Sequence, residues 1–186
     1  MEKNQEYVLR TMTLALGVQD GTLIDFETTG IPGKTLEHEV VTLGYLYANK
    51  LAVMQRRSLT KEPFYEEVRK VIVHSPRPLY SYNAKFERDI IEGELGLHLG
   101  EKDIIDIMEP WRKKADGLGM KWPKLDELIS VPGDYFGEVK ITGKDVPGLW
   151  QEYLNGRSEE VIHKIMEHCL IDILRESVLL LTGQLE

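Results

Sequence analysis

Cysteine is almost missing from this sequence, with Cys169 the only one among 186 residues. An internal disulfide and a multi-cysteine zinc site are both excluded, so the fold must rest on its apolar core. Long hydrophobic runs are missing as well. No apolar stretch approaches the roughly 20 residues needed to cross a bilayer, which argues against a membrane protein. The opening MEKNQEYVLR mixes charges of both signs and lacks the apolar segment and cleavage site of a secretory signal, so the expected location is cytoplasmic. No repeat, low-complexity tract or Pro/Gly/Ser-rich linker divides the chain, and its length suits one domain over residues 1–186. Positive charge is in deficit too: 23 Lys and Arg face 31 Asp and Glu, a net charge of -8. That balance disfavours a protein gripping nucleic acid over its whole surface. It leaves room for a site where carboxylates hold divalent cations and the cations meet a phosphate.

What is present reads as alternating strands and helices. Residues 21–28, GTLIDFET, form a strand closed by a turn at Thr29-Gly30-Ile31-Pro32. VVTLGYLYA and LAVMQRRSL, separated by Asn49-Lys50, read as a hairpin, giving three antiparallel strands at the start of the sheet. Apolar residues at helical spacing predict helices over 62–74 and 84–97, each followed by a short strand, PLYSYN and DIIDIM. Such alternation signals parallel crossover units. Short helices are expected near 125–129 and 146–155, and a long one from an N-cap at Ser158 to about Leu181. The order matches an α/β fold of ribonuclease H-like type, a mixed five-stranded sheet flanked by helices.

Several carboxylates stand out. Asp25 and Glu27 are two apart in a strand, so both leave the same face about 7 Å apart. That pattern fits either the solvent side of an edge strand or a pair presented to a cation, and the surrounding Leu23, Ile24 and Phe26 favour a half-buried site. Asp172 lies in CLIDIL near the edge of a buried helical stripe, with His168 one turn before it. By itself this is either a surface i, i+4 pair or part of a site. His38, His74, His98 and His163 show no metal-ligand spacing.

Taken together, LIDFETTG, YNAKFE and His168-x-x-x-Asp172 resemble, in order and distance, the three exonuclease motifs of the DnaQ-like, or DEDD, superfamily. The second motif departs from the usual pattern, with Glu87 where Asp is customary and Asp89 as the fallback. The third is a hybrid, placing His168 in the position where one branch has tyrosine. An imidazole accepts a proton at neutral pH more readily than a phenol, so the swap is chemically sound. The resemblance implies that Asp25, Glu27, Glu87 and Asp172 hold two Mg²⁺ or Mn²⁺ ions, with His168 as base. It further implies that Thr28, Thr29, Asn83, Lys85 and Phe86 approach the substrate, single-stranded nucleic acid with a 3′ end, DNA slightly favoured over RNA.

The stretch WRKKADGLGMKWPK carries five Lys/Arg, one Asp and two tryptophans, which suits backbone phosphates and base stacking, so Arg112, Lys113 and Lys114 are candidate contacts. The more ordinary reading of such a stretch is a solvated loop with its tryptophans folded onto the core. Two other readings stay open: a scaffold that kept the fold and lost its chemistry, and a metal-dependent phosphatase of small substrates.

Overall fold

The computed structural model describes residues 2–3, 6–30, 38–129 and 141–183. Its strands are β1 (Glu2–Lys3), β2 (Tyr7–Thr28), β3 (Val40–Arg56), β4 (Leu79–Ser81) and β5 (Ile104–Asp106). The helices are α1 (Glu62–His74), α2 (Ala84–Gly93), α3 (Glu109–Gly117), α4 (Leu125–Leu128), α5 (Val146–Gly156) and α6 (Glu159–Gly183). One mixed sheet holds all five strands: β1 and β3 are antiparallel to β2, while β4 is parallel to β2 and β5 to β4. The ribonuclease H-like α/β architecture expected from the sequence is therefore present. Among the described residues no helix is long and apolar enough to cross a membrane.

β3 is too long to be one straight strand. Thr42 Oγ1 donates to Gln55 Oε1 at 2.6 Å across 13 positions. An extended run of that length would span about 43 Å, so the chain must fold back within β3. The reversal falls at Ala48, among the described strand residues the one with a side chain and a positive φ, 49°. This is the expected hairpin, turned at Ala48 just before Asn49-Lys50.

β2 wraps this hairpin. Its first half pairs with one arm, Tyr7 opposite Arg56 through Thr13 opposite Lys50, and its second half with the other, Thr22 opposite Tyr47 through Thr28 opposite Val40. Between them the chain rounds the hairpin tip at Gly17, where a Cβ would lie 1.6 Å from the Ala48 carbonyl oxygen. No larger residue fits there. The strand character of residues 7–20 went unassigned in the sequence, because its pairing partners are 30 to 49 positions away.

Alternation along β2 sorts the core into two layers. Leu23 packs with α5 and α6 on one side of the sheet. Ile24 and Phe26 pack with α1 and α2 on the other. Asp25 and Glu27 share Leu23's face by the period-two rule, beneath α6. Gly44 stands opposite Asp25 in the ladder, and a Cβ on it would meet Cys169 Sγ at 2.6 Å and Ile173 Cγ1 at 2.8 Å. The missing side chain lets α6 lie directly on β3.

α3 is the main departure. The sequence pattern predicts no helix between DIIDIM and residue 125, yet Glu109–Gly117 is helical, with Pro110 in its first turn and a Lys113–Glu109 pair at 2.7 Å. Ile31 and Pro32 of the predicted turn lie outside the described residues.

Candidate metal centre and cleft

Parallel pairing of β2 with β4 stops after Leu23 and Tyr80, so beyond that point the edge of β2 is open. A crevice at the carboxyl ends of parallel strands is where α/β sheets characteristically place ligands. Here it receives the acids of β2, the start of α2 and the middle of α6.

β2 contributes Asp25 and Glu27, and α6 contributes His168 and Asp172. His168 Nε2 lies 3.4 Å from Glu27 Oε1 and 3.6 Å from Asp172 Oδ2. Among the described residues, two groups have ligand atoms within 4.8 Å of one another: Glu27 with His168 and Asp172, and Asp25 with Glu27 and Cys169. Glu87 stands outside both groups but faces them. It is only 4% exposed, its carboxylate accepts the Phe26 N–H left open at the strand edge, and its charge acts on Glu27. Asp89, the alternative third acid, turns to the surface and pairs with Lys85 at 2.7 Å.

Crowding these groups in a low-dielectric setting penalises their charged forms. Burial, reinforced by the charge of Asp172, pushes the Asp25 carboxyl up to about 7. Burial likewise holds Glu27 well above the usual carboxylate range, with further contributions from Asp25, Asp172 and Glu87. Glu87 is raised by burial and by Asp25. Asp172 is raised by burial, against the opposing pull of His168 and Arg175. Burial lowers His168 from the ordinary imidazole value, so it is neutral at pH 7. Asp25 Oδ2 and Glu87 Oε2 are buried with no hydrogen-bond partner. Orphaned carboxylate oxygens fit a hard divalent cation with oxygen ligands.

Glu27, His168 and Asp172 form the floor of a cleft of about 1020 Å³, with Asp25 and Glu87 buried behind it. Phe26, Phe86, Leu125, Ile141 and Pro147 give it apolar walls, and Lys124, Lys144 and Arg175 add positive charge. The 141–145 segment passes close over the floor: a Cβ on Gly143 would lie 3.8 Å from both Glu27 Oε2 and His168 Nε2. Asp145 accepts from the Thr142 N–H and hydroxyl at 2.7 and 2.9 Å, holding that turn.

The remaining predicted residues divide. Thr28, Thr29 and Phe86 line the cleft. Thr29 also ties the end of β2 to Glu39 through its backbone and hydroxyl, both at 2.9 Å. Asn83, exposed at the head of α2, makes no side-chain cap and accepts from Arg112 Nη2 at 3.2 Å. Arg112 also pairs with Asp106 at 2.7 Å and stacks over Trp122. Lys113 pairs with Glu109, Lys114 lies over Trp111, and none of the three basic residues lines the cleft. Trp111 packs against the core, whereas Trp122 is 49% exposed.

Sequence reasoning missed Arg175, whose Nη1 pairs with Asp172 Oδ1 at 3.2 Å. It also missed Glu176. His168, Asp172 and Glu176 recur every four residues along one stripe of α6, and that spacing was the available signal.

Residues 22–181 match the family described as RNase_H_2, of the RNase_H superfamily. No curated protein matches the chain.

Proposed function

Since the chain belongs to the RNase_H superfamily, whose fold is of nuclease type, we propose that it is a metal-dependent 3′ to 5′ exonuclease. Its substrate is single-stranded nucleic acid, with DNA slightly favoured over RNA. One observation carries the reading: Glu27, His168 and Asp172 converge within 4.8 Å at the floor of a cleft, beside the orphaned carboxylate oxygens of Asp25 and Glu87.

Asp25, Glu27, Glu87 and Asp172 would hold two Mg²⁺ or Mn²⁺ ions. Bound divalent cations supply Lewis acidity at the phosphate and lower the pKa of water beside it. His168 Nε2, neutral at pH 7, accepts a proton from the attacking water. Water oxygen bonds to phosphorus as the bond to the 3′ oxygen breaks, leaving a shortened strand with a 3′ hydroxyl and a nucleoside 5′-monophosphate. The apolar walls at Phe26, Phe86 and Leu125 suit an unstacked terminal base, and Thr28 and Thr29 offer hydroxyls at the mouth of the acids.

A 5′-labelled single strand with Mn²⁺ or Mg²⁺ provides the test. The expected product pattern is a ladder shortened stepwise from the 3′ end, accompanied by free 5′-monophosphates. Intact strands at every pH between 6 and 9 would sink the enzyme reading, and cutting of a circular strand would replace it with an endonuclease.

A further inference from the structure

Glu176 is an acid that the four-carboxylate scheme does not use. It lies on α6 one turn beyond Asp172, and its residue is 3% exposed. Its carboxylate accepts the N–H of Tyr82, the first residue after β4, and it feels the charges of Asp25, Glu87 and Asp172. Its Oε2 is buried without any hydrogen-bond partner. Arg175, next in sequence, directs its guanidinium to Asp172 instead.

A carboxylate so enclosed, among three others, is costly in the metal-free chain unless something positive meets it. Solvent does not reach it and the Tyr82 amide satisfies only part of its capacity. Asp25 Oδ2, Glu87 Oε2 and Glu176 Oε2 share this condition, each buried without a hydrogen-bond partner. After burial, the charges of Asp25 and Glu87 act on Glu176 more strongly than that of Asp172, and its hydrogen bond is to the end of β4. The three acids do not form a group within 4.8 Å in the metal-free chain, so an ion would draw them together.

We infer that Glu176 is a fifth carboxylate of the metal centre, acting with Asp25 and Glu87 to hold the inner of two divalent cations. The inference rests on the metal-centre reading above and deepens it. It also accounts for Glu at position 87: a longer side chain there shares its ion with a second long acid from α6. Glu27 and Asp172 then serve the outer position, which opens to the cleft, with His168 beside them as the base.

Calorimetric titration of the full chain with Mn²⁺, paired with electron paramagnetic resonance of the bound ions, tests this without measuring turnover. The wild type is expected to bind two ions with the magnetic coupling of a close pair. Glu176→Gln preserves the acceptor for Tyr82 and removes the charge. It is expected to lose the coupling and weaken the second ion by at least about tenfold, leaving the first unchanged. Two coupled ions of undiminished affinity in Glu176→Gln would overturn this inference alone. A wild type that binds no Mn²⁺ would overturn the metal-centre reading and this inference with it. A crystal of the wild type soaked in Mn²⁺ decides the matter even if the variant does not fold. Anomalous density in contact with a Glu176 oxygen supports the assignment, and two ions that both avoid it refute it.

Discussion

Asp25 bears the sharpest consequence at the scale of single residues. Its carboxyl is raised from 3.8 to about 7 in the folded, metal-free chain. The folded state therefore binds that proton more tightly than the unfolded chain does. Its contribution to stability is complete below about pH 4 and is lost as pH rises through about 7. In EDTA, thermal midpoints are expected to fall between pH 5 and 8. Asp25→Asn should flatten that decline and abolish nuclease activity while the fold is retained. A variant that melts ten degrees or more below the wild type at pH 7.5 would show that the carboxylate is structural instead. His168 allows a second comparison. His168→Ala is expected to reduce kcat by about 10² to 10⁴, with His168→Tyr keeping more activity, since a phenol can still orient water. Equal and total loss in both variants, measured in single-turnover assays with saturating Mn²⁺, would remove the histidine from the base role.

α6 and β3 meet where the sequence says least. Gly44 looks unremarkable within VVTLGYLYA, yet a Cβ there would overlap Cys169 and Ile173 on α6. Those two residues flank His168 and Asp172 along the helix, so helix position and site geometry are set by the same contact. Gly44→Val is expected to destabilise the protein by about 1 to 3 kcal/mol through overpacking. It should also weaken Mn²⁺ binding, as read by urea unfolding and calorimetry on the same preparation. Loss of stability with unchanged metal affinity would separate the two roles. The contrast with Asp25 and Glu27 explains what could be read in advance. Their spacing on a strand is a local fact, visible in five letters, and so is the stripe that placed Asp172 on a helix. The wrapping of β2 around the hairpin, the need for glycine at 17 and 44, and the inward turn of Glu87 rather than Asp89 all depend on partners distant in sequence. Arg112, singled out by composition, is occupied by Asp106 and Asn83 for the same reason. Glu176 carried one local signal, its four-residue spacing from Asp172, and only packing shows that its face is closed.

On the scale of the whole molecule, a net charge of -8 sets how a polyanion can approach. Long-range attraction is absent, so binding must come from the cleft itself, where Lys124, Lys144 and Arg175 lie beside the acid floor. Each phosphate neutralised on a single strand adds about 0.7 to the salt dependence of affinity. Three such contacts give a slope near -2 for log kcat/KM against log salt, far shallower than that of a protein with a basic surface. Lys124→Ala and Lys144→Ala should each reduce that slope by about 0.7 and weaken binding to all sequences alike, since phosphate contacts carry no base preference. Arg112→Ala and Lys113→Ala, whose side chains point to partners on α3 and its neighbours, are expected to leave the slope in place. Measuring kcat/KM from 50 to 400 mM NaCl for the four variants distinguishes the cleft path from the α3 path. If the α3 variants flatten the salt dependence and the cleft variants do not, the strand runs over Trp122 and Arg112, and the substrate reaches the acids from the opposite side.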